Sequence, residues 1–282
     1  MKLLQWNIQW CRGTDGAVDP ARIARVAREL CDPDVACFQE VAVNFPALAG
    51  SSGEDQVALL AAQFPTYSAH FAWGVDVPDG GGGRRRFGNL ILSRLPVRQV
   101  FRHLLPWPAD SGAPSMQRSA LEAVIESGFG PLRVTSTHLE YYSVVQRAAQ
   151  VERLRELHAQ ACAQSLAKTS DRYHSGPFRP FERPVAAIVA GDFNLPAGDA
   201  LHGRMLAPIG DRIPRFIDAW QAAHPGTPHP PTFGVFDSEF AREPYCCDFV
   251  FVTDDLAPRL RVLRIDGETQ ASDHQPVIAE FA

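Results

Sequence analysis

Apolar positions along the chain alternate between a period of two and a period near 3.6, and the switches predict the elements. Leu3 to Ile8 reads as a strand. Asp19-Pro20 then offers a capping carboxylate and a proline at the first helical position, followed by Ile23, Val26, Ala27 and Leu30 at helical spacing. Asp34 to Gln39 predicts a second strand and Asp55 to Gln63 a second helix. The middle of the chain is strand after strand: Thr66 to Val75, Gly88 to Ser93, Val97 to Leu104, Arg118 to Glu126 and Leu132 to His138. Ser143 is placed to cap the longest helix, whose stripe is Ala148, Val151, Leu154, Leu157 and Ala161 and which fades near Lys168. Later strands are predicted at Val185 to Ala190, Asp248 to Thr253, Leu260 to Ile265 and Pro276 to Phe281. Strands outnumber helices too heavily for a simple alternating parallel sheet. An α+β arrangement of two packed sheets with helices outside accounts for the pattern better.

Composition narrows the function classes. The chain has 282 residues, 45% hydrophobic and 21% charged, an ordinary globular balance that supports a real core without staples. A bound metal would therefore serve function. No apolar run approaches the ~18 residues of a membrane span, and the N-terminus lacks a signal-peptide core, so the expected compartment is the cytoplasm. Six cysteines without C-x-x-C spacing fit reduced, buried thiols. A net charge of −5 provides no global field for gathering nucleic acid. Lys2 and Lys168 are the only lysines, and neither a G-K-[ST] phosphate loop nor a G-x-S-x-G elbow is present.

Polar residues instead collect at predicted strand ends: Asn7, Glu40, His138, Asp192 with Asn194, and Asp248, joined near the C-terminus by Asp273 and His274. Each has a plainer reading alone, since Asn7 could cap a turn, Asp192 and Asn194 could form an Asx-turn, and Asp273 could open a turn before Pro276. Together they are an oxygen-rich donor set without thiolates, which suits Mg²⁺ or Mn²⁺ better than Zn²⁺.

In order along the chain stand Trp6-Asn7, Gln39-Glu40, Gly88-Asn89 leading to Leu92-Ser93, Arg118, Thr137-His138-Leu139, Gly191-Asp192-Phe193-Asn194, Asp248 before its apolar run, and Ser272-Asp273-His274. This series resembles the endonuclease/exonuclease/phosphatase superfamily, the DNase I-like hydrolases, from Asn7 to His274. The resemblance implies a single catalytic domain over residues 1–282, folded as a four-layer α/β/β/α sandwich of two mixed β-sheets flanked by helices. It implies divalent-metal-dependent hydrolysis of phosphoesters. Glu40 would ligate the metal with Asn7 beside it and Asp273 as a further contact. Asp192 would take a proton from the attacking water, and Asn194 would orient that water or the phosphate. His274 and His138 would flank the phosphate, with Asp248 holding His274, while Asn89 and Arg118 would line the cleft and bind substrate.

The Ser136-Thr137-His138-Leu139-Glu140 run places the chain in the family's histidine branch, with some similarity to the 5′-tyrosyl-DNA phosphodiesterases. Cys246-Cys247 before Asp248 and Tyr141-Tyr142 after Glu140 depart from that pattern. The expected substrate is a phosphate ester, foremost a nucleic-acid strand or end, and no obligate protein partner is inferred. The alternatives are inositol phosphates, phospholipid head groups as in sphingomyelinases, or a catalytically silent binding module on the same fold. Two further segments could grip a strand or be plain surface loops: Gly80 to Gly83 with Arg84 to Arg86, and Lys168 to Arg183 with its interleaved arginines and aromatics. His224 and His229, in a proline-rich stretch without partners at ligand spacing, read as loop residues.

Overall fold

The computed structural model describes residues 1–167, 175–179, 181–236 and 243–282. In chain order its strands are β1 (Lys2–Asn7), β2 (Val35–Val43), β3 (Ser68–Pro78), β4 (Arg84–Ser93), β5 (Val97–Leu104), β6 (Ser119–Ser127), β7 (Gly130–His138), β8 (Ala187–Asp192), β9 (Phe216–Asp218), β10 (Asp248–Thr253), β11 (Leu260–Ile265) and β12 (Val277–Phe281). The helices are α1 (Pro20–Leu30), α2 (Gln56–Gln63), α3 (Val144–Leu166), α4 (Ala200–Leu206) and α5 (Ala219–Ala223). The strands form two six-stranded sheets, in the orders β11-β12-β1-β2-β4-β3 and β5-β6-β7-β8-β10-β9.

Each sheet contains one parallel pair, β1 with β2 and β7 with β8, and is otherwise antiparallel. A parallel pair needs a crossover connection, and here a helix supplies each one, α1 in the first sheet and α3 in the second. The Asp19 side chain accepts from Arg22 N at 3.0 Å ahead of Pro20, and Ser143 Oγ accepts from Gln146 N at 3.2 Å, so both helices start at their predicted caps. Ile23, Ala24 and Ala27 of α1 pack on Leu4, Trp6 and Phe38, the outer face of the first sheet. Val151 and Leu154 of α3 pack on Ala187, Val189 and Phe251, the outer face of the second. Leu3, Val35, Ile91, Val134, Ile188, Val250 and Ala279 meet between the sheets. The result is the expected order of helix, sheet, sheet, helix. No described helix is long and apolar enough to cross a membrane.

Several differences have local causes. β2 runs past Gln39 to Val43 because a bulge lets it resume pairing with β4. β4 begins at Arg84 rather than Gly88, so the triple arginine belongs to a β-hairpin. There Arg84 and Arg86 pair with Asp76, at 2.7 and 3.5 Å, Arg86 also lies 4.5 Å from the Trp73 ring centroid, and Arg85 donates to Asp79 O. These side chains brace the hairpin instead of forming a free lip. Of the other candidate gripping segment, Lys168, Arg172 and Tyr173 lie outside the described residues. Arg183 is buried, pairs with Glu122 at 2.9 Å and stacks over Phe101, which removes it from any surface role. The short elements α4, α5 and β9 escape sequence periodicity because each spans two turns or less.

The neighbouring strands β7 and β8 approach closely at Gly191, where a Cβ would lie 2.1 Å from Thr137 O, whereas a Cβ on helical Gly203 would meet open space. Gly191→Ala is expected to destabilise by about 1–3 kcal/mol and Gly203→Ala to stabilise by about 0.4–1 kcal/mol. Urea unfolding of the two variants checks both signs.

Candidate active site

Alternation along the central strands explains how one end of the inter-sheet layer becomes polar. Inward positions read Leu3, Gln5, Asn7 on β1; Val35, Cys37, Gln39 on β2; Val134, Ser136, His138 on β7; and Ile188, Ala190, Asp192 on β8. β10 runs the other way, from Asp248 to Val250 and Val252. Each strand is apolar toward one edge and polar toward the other, and all the polar edges coincide. Register sets the neighbours: Asn7 opposite Gln39, His138 opposite Asp192, and Asp192 opposite Asp248.

Glu40 follows inward-facing Gln39, and strict alternation would send it outward. It instead takes φ 59° at the β2 bulge, where Gln39 and Glu40 together oppose Asn89 of β4. The bulge swings its carboxylate into the site. Gln9, Trp10 and Cys11 also have positive φ, forming a left-handed turn directly after β1. Such backbone persists only where contacts over-determine it. Here Gln9 N donates to Asn7 Oδ1, Gln9 Nε2 to Asp273 Oδ2 at 2.8 Å, Gln56 Nε2 to Trp10 O, and Trp10 Nε1 to Ala49 O.

Asn7 Nδ2 bridges two carboxylates, 3.0 Å from Glu40 Oε1 and 3.0 Å from Asp192 Oδ2. Asp192 Oδ1 accepts from Asn194 N at 2.9 Å, and Asn194, at φ 52°, donates its amide to Leu139 O and lies 2.9 Å from His138 Nε2. Asp273 is held by Gln9 and by Ser272 Oγ, which also bonds Asn7 O. Asp248 Oδ2 lies 2.8 Å from His274 Nδ1, leaving Nε2 facing Asp192 Oδ2 at 3.7 Å. The structure thus brings Asn7, Glu40, His138, Asp192, Asn194, Asp273 and His274 to one point, with Asp248 behind them.

Arg118 and Asn89 stand at the margin. Arg118 Nε bonds Glu140 Oε2 at 3.2 Å, while its buried Nη1 has no hydrogen-bond partner among the described residues. Glu140 in turn accepts from the backbone of Tyr141 and Tyr142, so Arg118 also fixes the segment that carries them. Asn89 donates to Ser119 O at 2.8 Å and lines a small side cavity with Glu40, Arg118 and His138.

Burial, reinforced by Asp273 and Asp192, pushes the Glu40 carboxyl up to about 7 despite the Asn7 hydrogen bond. The two histidines are driven apart. Burial, with the Arg118 charge nearby, takes His138 down to about 3 and holds it neutral. Burial also opposes charge on His274, but Asp248, Asp192 and Asp273 outweigh it and raise the imidazole well above its usual range. One pocket therefore contains a neutral and a cationic imidazole.

A cavity of about 440 Å³ opens over these groups. Its walls are aromatic and apolar, with Trp10, Phe45, Phe87, Met116, Tyr142 and Phe233 among them, and among the described residues Arg118 is the one lysine or arginine in its lining. The Phe233 ring lies 4.5 Å from that of His274. Sequence reasoning missed these walls, which come from loops and strands that share no spacing. Asp192, Cys247 and His274 also converge, and burial pushes the metal-free Cys247 thiol well up.

Two mixed sheets, helices on both outer faces and a cluster of carboxylates and histidines at one sheet edge define the DNase I-like class. The chain belongs to the Endonuclease/Exonuclease/phosphatase family, whose pattern it matches over residues 4–274. No curated protein sequence matches it. Among solved structures it is similar to an endonuclease/exonuclease/phosphatase from Beutenbergia cavernae, with 23% identity and a TM-score of 0.65 over 100% of this chain and 72% of that one. It is also similar to truncated Caenorhabditis elegans TDP2, with 18% identity and a TM-score of 0.64 over 100% and 97% of the two chains. A mannosyl-6-phosphatase from Bacteroides thetaiotaomicron aligns with 15% identity and a TM-score of 0.66 over 100% and 99%. At these identities the likeness is one of fold.

The opposed histidine states are directly measurable. In ¹⁵N-resolved spectra without added metal, His138 is expected to stay neutral at pH 5 and His274 to stay protonated at pH 7. Asp248→Asn should lower the His274 titration, and a wild-type His274 midpoint near 6.5 would contradict the assignment.

Proposed function

We propose that this chain, acting as one catalytic domain, is a divalent-metal-dependent phosphodiesterase that cleaves nucleic-acid strands or ends. The observation that carries the proposal is the convergence of Glu40, Asp192, Asp273, His138 and His274 from both sheets at the floor of one cavity. Three carboxylates crowded there concentrate negative charge, which adds to the burial that raises Glu40, and an all-oxygen donor set fits a hard cation. Glu40 and Asp273 would hold it, with the Asn7 amide beside them. When bound, the cation supplies charge neutralisation and Lewis acidity at the phosphoryl oxygens.

The chain's own groups divide the remaining work. Asp192, oriented by Asn7 Nδ2 and Asn194 N, accepts the proton of the attacking water. Asn194, on its left-handed turn, positions that water beside the phosphate. Cationic His274 donates from Nε2 to a phosphoryl oxygen, because Asp248 occupies Nδ1 and stabilises the charge. Neutral His138 faces the same phosphate from the other sheet and steadies the developing charge by hydrogen bonding. Arg118, whose Nη1 is unsatisfied among the described residues, takes a phosphoryl oxygen at the rim, and Asn89, bonded to Ser119, stands opposite the β2 bulge.

The cavity walls favour a nucleotide over the alternatives. Trp10, Phe45, Phe87 and Tyr142 offer faces for stacking a base or an aryl leaving group. An inositol polyphosphate would bring several phosphates against those walls, where among the described residues Arg118 is the one lysine or arginine to meet them. Retention of every proposed acid, base and ligand also disfavours a silent binding module.

Hydrolysis of a bis-aryl phosphodiester should require Mg²⁺ or Mn²⁺ and stop with EDTA. Glu40→Gln, Asp192→Asn and His274→Ala should each lose at least roughly 100-fold in kcat, the lower end of acid-base contributions. Single-stranded DNA and RNA should be cleaved in preference to inositol phosphates and sphingomyelin. Turnover without metal would overturn the mechanism, and cleavage of only the latter two would overturn the substrate class.

A further inference from the structure

A second convergence of metal-ligating atoms lies outside the proposed active site, and we propose that it is a Zn²⁺-class site built from His202, Asp218 and His229. The three residues come from separate segments: His202 from α4, Asp218 from the end of β9, and His229 from the proline-rich stretch after α5. His202 Nε2 and His229 Nε2 each sit 2.8 Å from the same Asp218 Oδ2. All three ligand atoms lie within 4.8 Å of one another. The sequence concealed this because the partners of His229 are 11 and 27 residues away, at no recognisable ligand spacing.

The surroundings are arranged as they are around metal ligands. Asp218 Oδ1 accepts from the backbone of Trp220 and Gln221 at 2.8 and 3.3 Å, which locks the carboxylate and directs Oδ2 toward the imidazoles. The His202 ring packs against Phe249 and Phe251 at 4.9 and 5.6 Å, and His229 against Phe249 at 5.6 Å, so neither ring is free to turn away. His202 and Asp218 are buried, whereas His229 borders an open cavity of about 790 Å³. Solvent in that cavity can supply a fourth ligand.

Two imidazoles, one carboxylate and a water suit Zn²⁺, in contrast to the oxygen-only set at Glu40 and Asp273. Bonds of about 2.0–2.1 Å in a tetrahedron require ligand edges of roughly 3.3 Å. Each imidazole would therefore sit about half an ångström further from Asp218 than it does now. Cys246 borders the same cavity, but its Sγ is not among the converging ligand atoms.

The role is structural, and it reaches the reaction centre. Three residues after His229, Thr232 Oγ1 accepts from the backbone of Cys247 and Asp248 at 3.1 Å each, and Phe233 stacks on His274. An ion here fastens that segment to the second sheet.

The test uses the full chain, stripped with EDTA, dialysed into metal-free buffer and titrated with Zn²⁺ or Co²⁺ in the presence of millimolar Mg²⁺. Metal content, Co²⁺ d–d absorption and melting temperature are read together. The wild type and Glu40→Gln should each bind about one Zn²⁺ with a rise in Tm, and Co²⁺ should give tetrahedral bands without a thiolate charge-transfer band. His229→Gln and His202→Gln should bind at least about 10-fold more weakly and lose the Tm rise. His229 lies at a cavity edge, so its variant remains informative if the buried His202 variant fails to fold. The proposal is overturned if the wild type binds no Zn²⁺, if His229→Gln binds it as tightly, or if Glu40→Gln abolishes it.

Discussion

Polar side chains trapped between two packed sheets must find hydrogen-bond partners or cost stability. Here three side chains from the first sheet meet that condition by reaching the second. Gln5 Nε2 donates to Asp248 at 3.1 Å, Gln39 Nε2 to Ser136 Oγ at 2.9 Å, and Asn7 Nδ2 to Asp192 at 3.0 Å. Gln5 and Gln39 also exchange amide bonds with each other, at 2.8 and 2.9 Å. All three amides are fully buried. An unsatisfied group in such a place costs about 1–3 kcal/mol, so the network admits one register and one sheet spacing. The positions of Asp192 and Asp248, and through Asp248 of His274, follow from that register.

This constraint explains why the same edge of the sandwich can carry chemistry. Carboxylates that would repel one another are held at fixed separations by amides that serve the packing as well. Charge differences then arise from small asymmetries: Arg118 near one imidazole, Asp248 behind the other. Under the proposed function, substrate recognition would fall to different parts, namely the left-handed turn at Trp10, the β4 wall at Phe87 and the Tyr141-Tyr142 segment anchored through Glu140 to Arg118. Loops and strand margins of this kind vary independently of the core, so a family fold alone does not name a substrate.

Much of the framework was legible in the sequence because its signals are local. Asp19-Pro20 and Ser143 mark helix starts through side chains that bond backbone three positions on, and alternation in Leu3 to Asn7 marks a half-polar strand. The residues that converge at the candidate site stand out in the sequence as an ordered series of motifs at strand ends. What stayed hidden depends on contacts distant in sequence. The inward turn of Glu40 needs the bulge opposite Asn89, Arg118 finds its partner 22 residues away, and His229 reads as a loop residue until Asp218 and His202 are folded beside it. The arginines of Arg84 to Arg86 and Arg183 suggested a gripping surface from composition alone, but Asp76, Trp73 and Glu122 claim most of them.

The central claim is that the Glu40–Asp273 side of the cavity floor is a hard-cation site facing the Asp192 base. Anomalous diffraction at the manganese edge from crystals soaked in Mn²⁺ tests it most directly. The account predicts a peak against the carboxylates of Glu40 and Asp273, absent from Glu40→Gln crystals. A cavity floor with no peak at millimolar Mn²⁺, or a peak confined to Asp192 and His274, would contradict it.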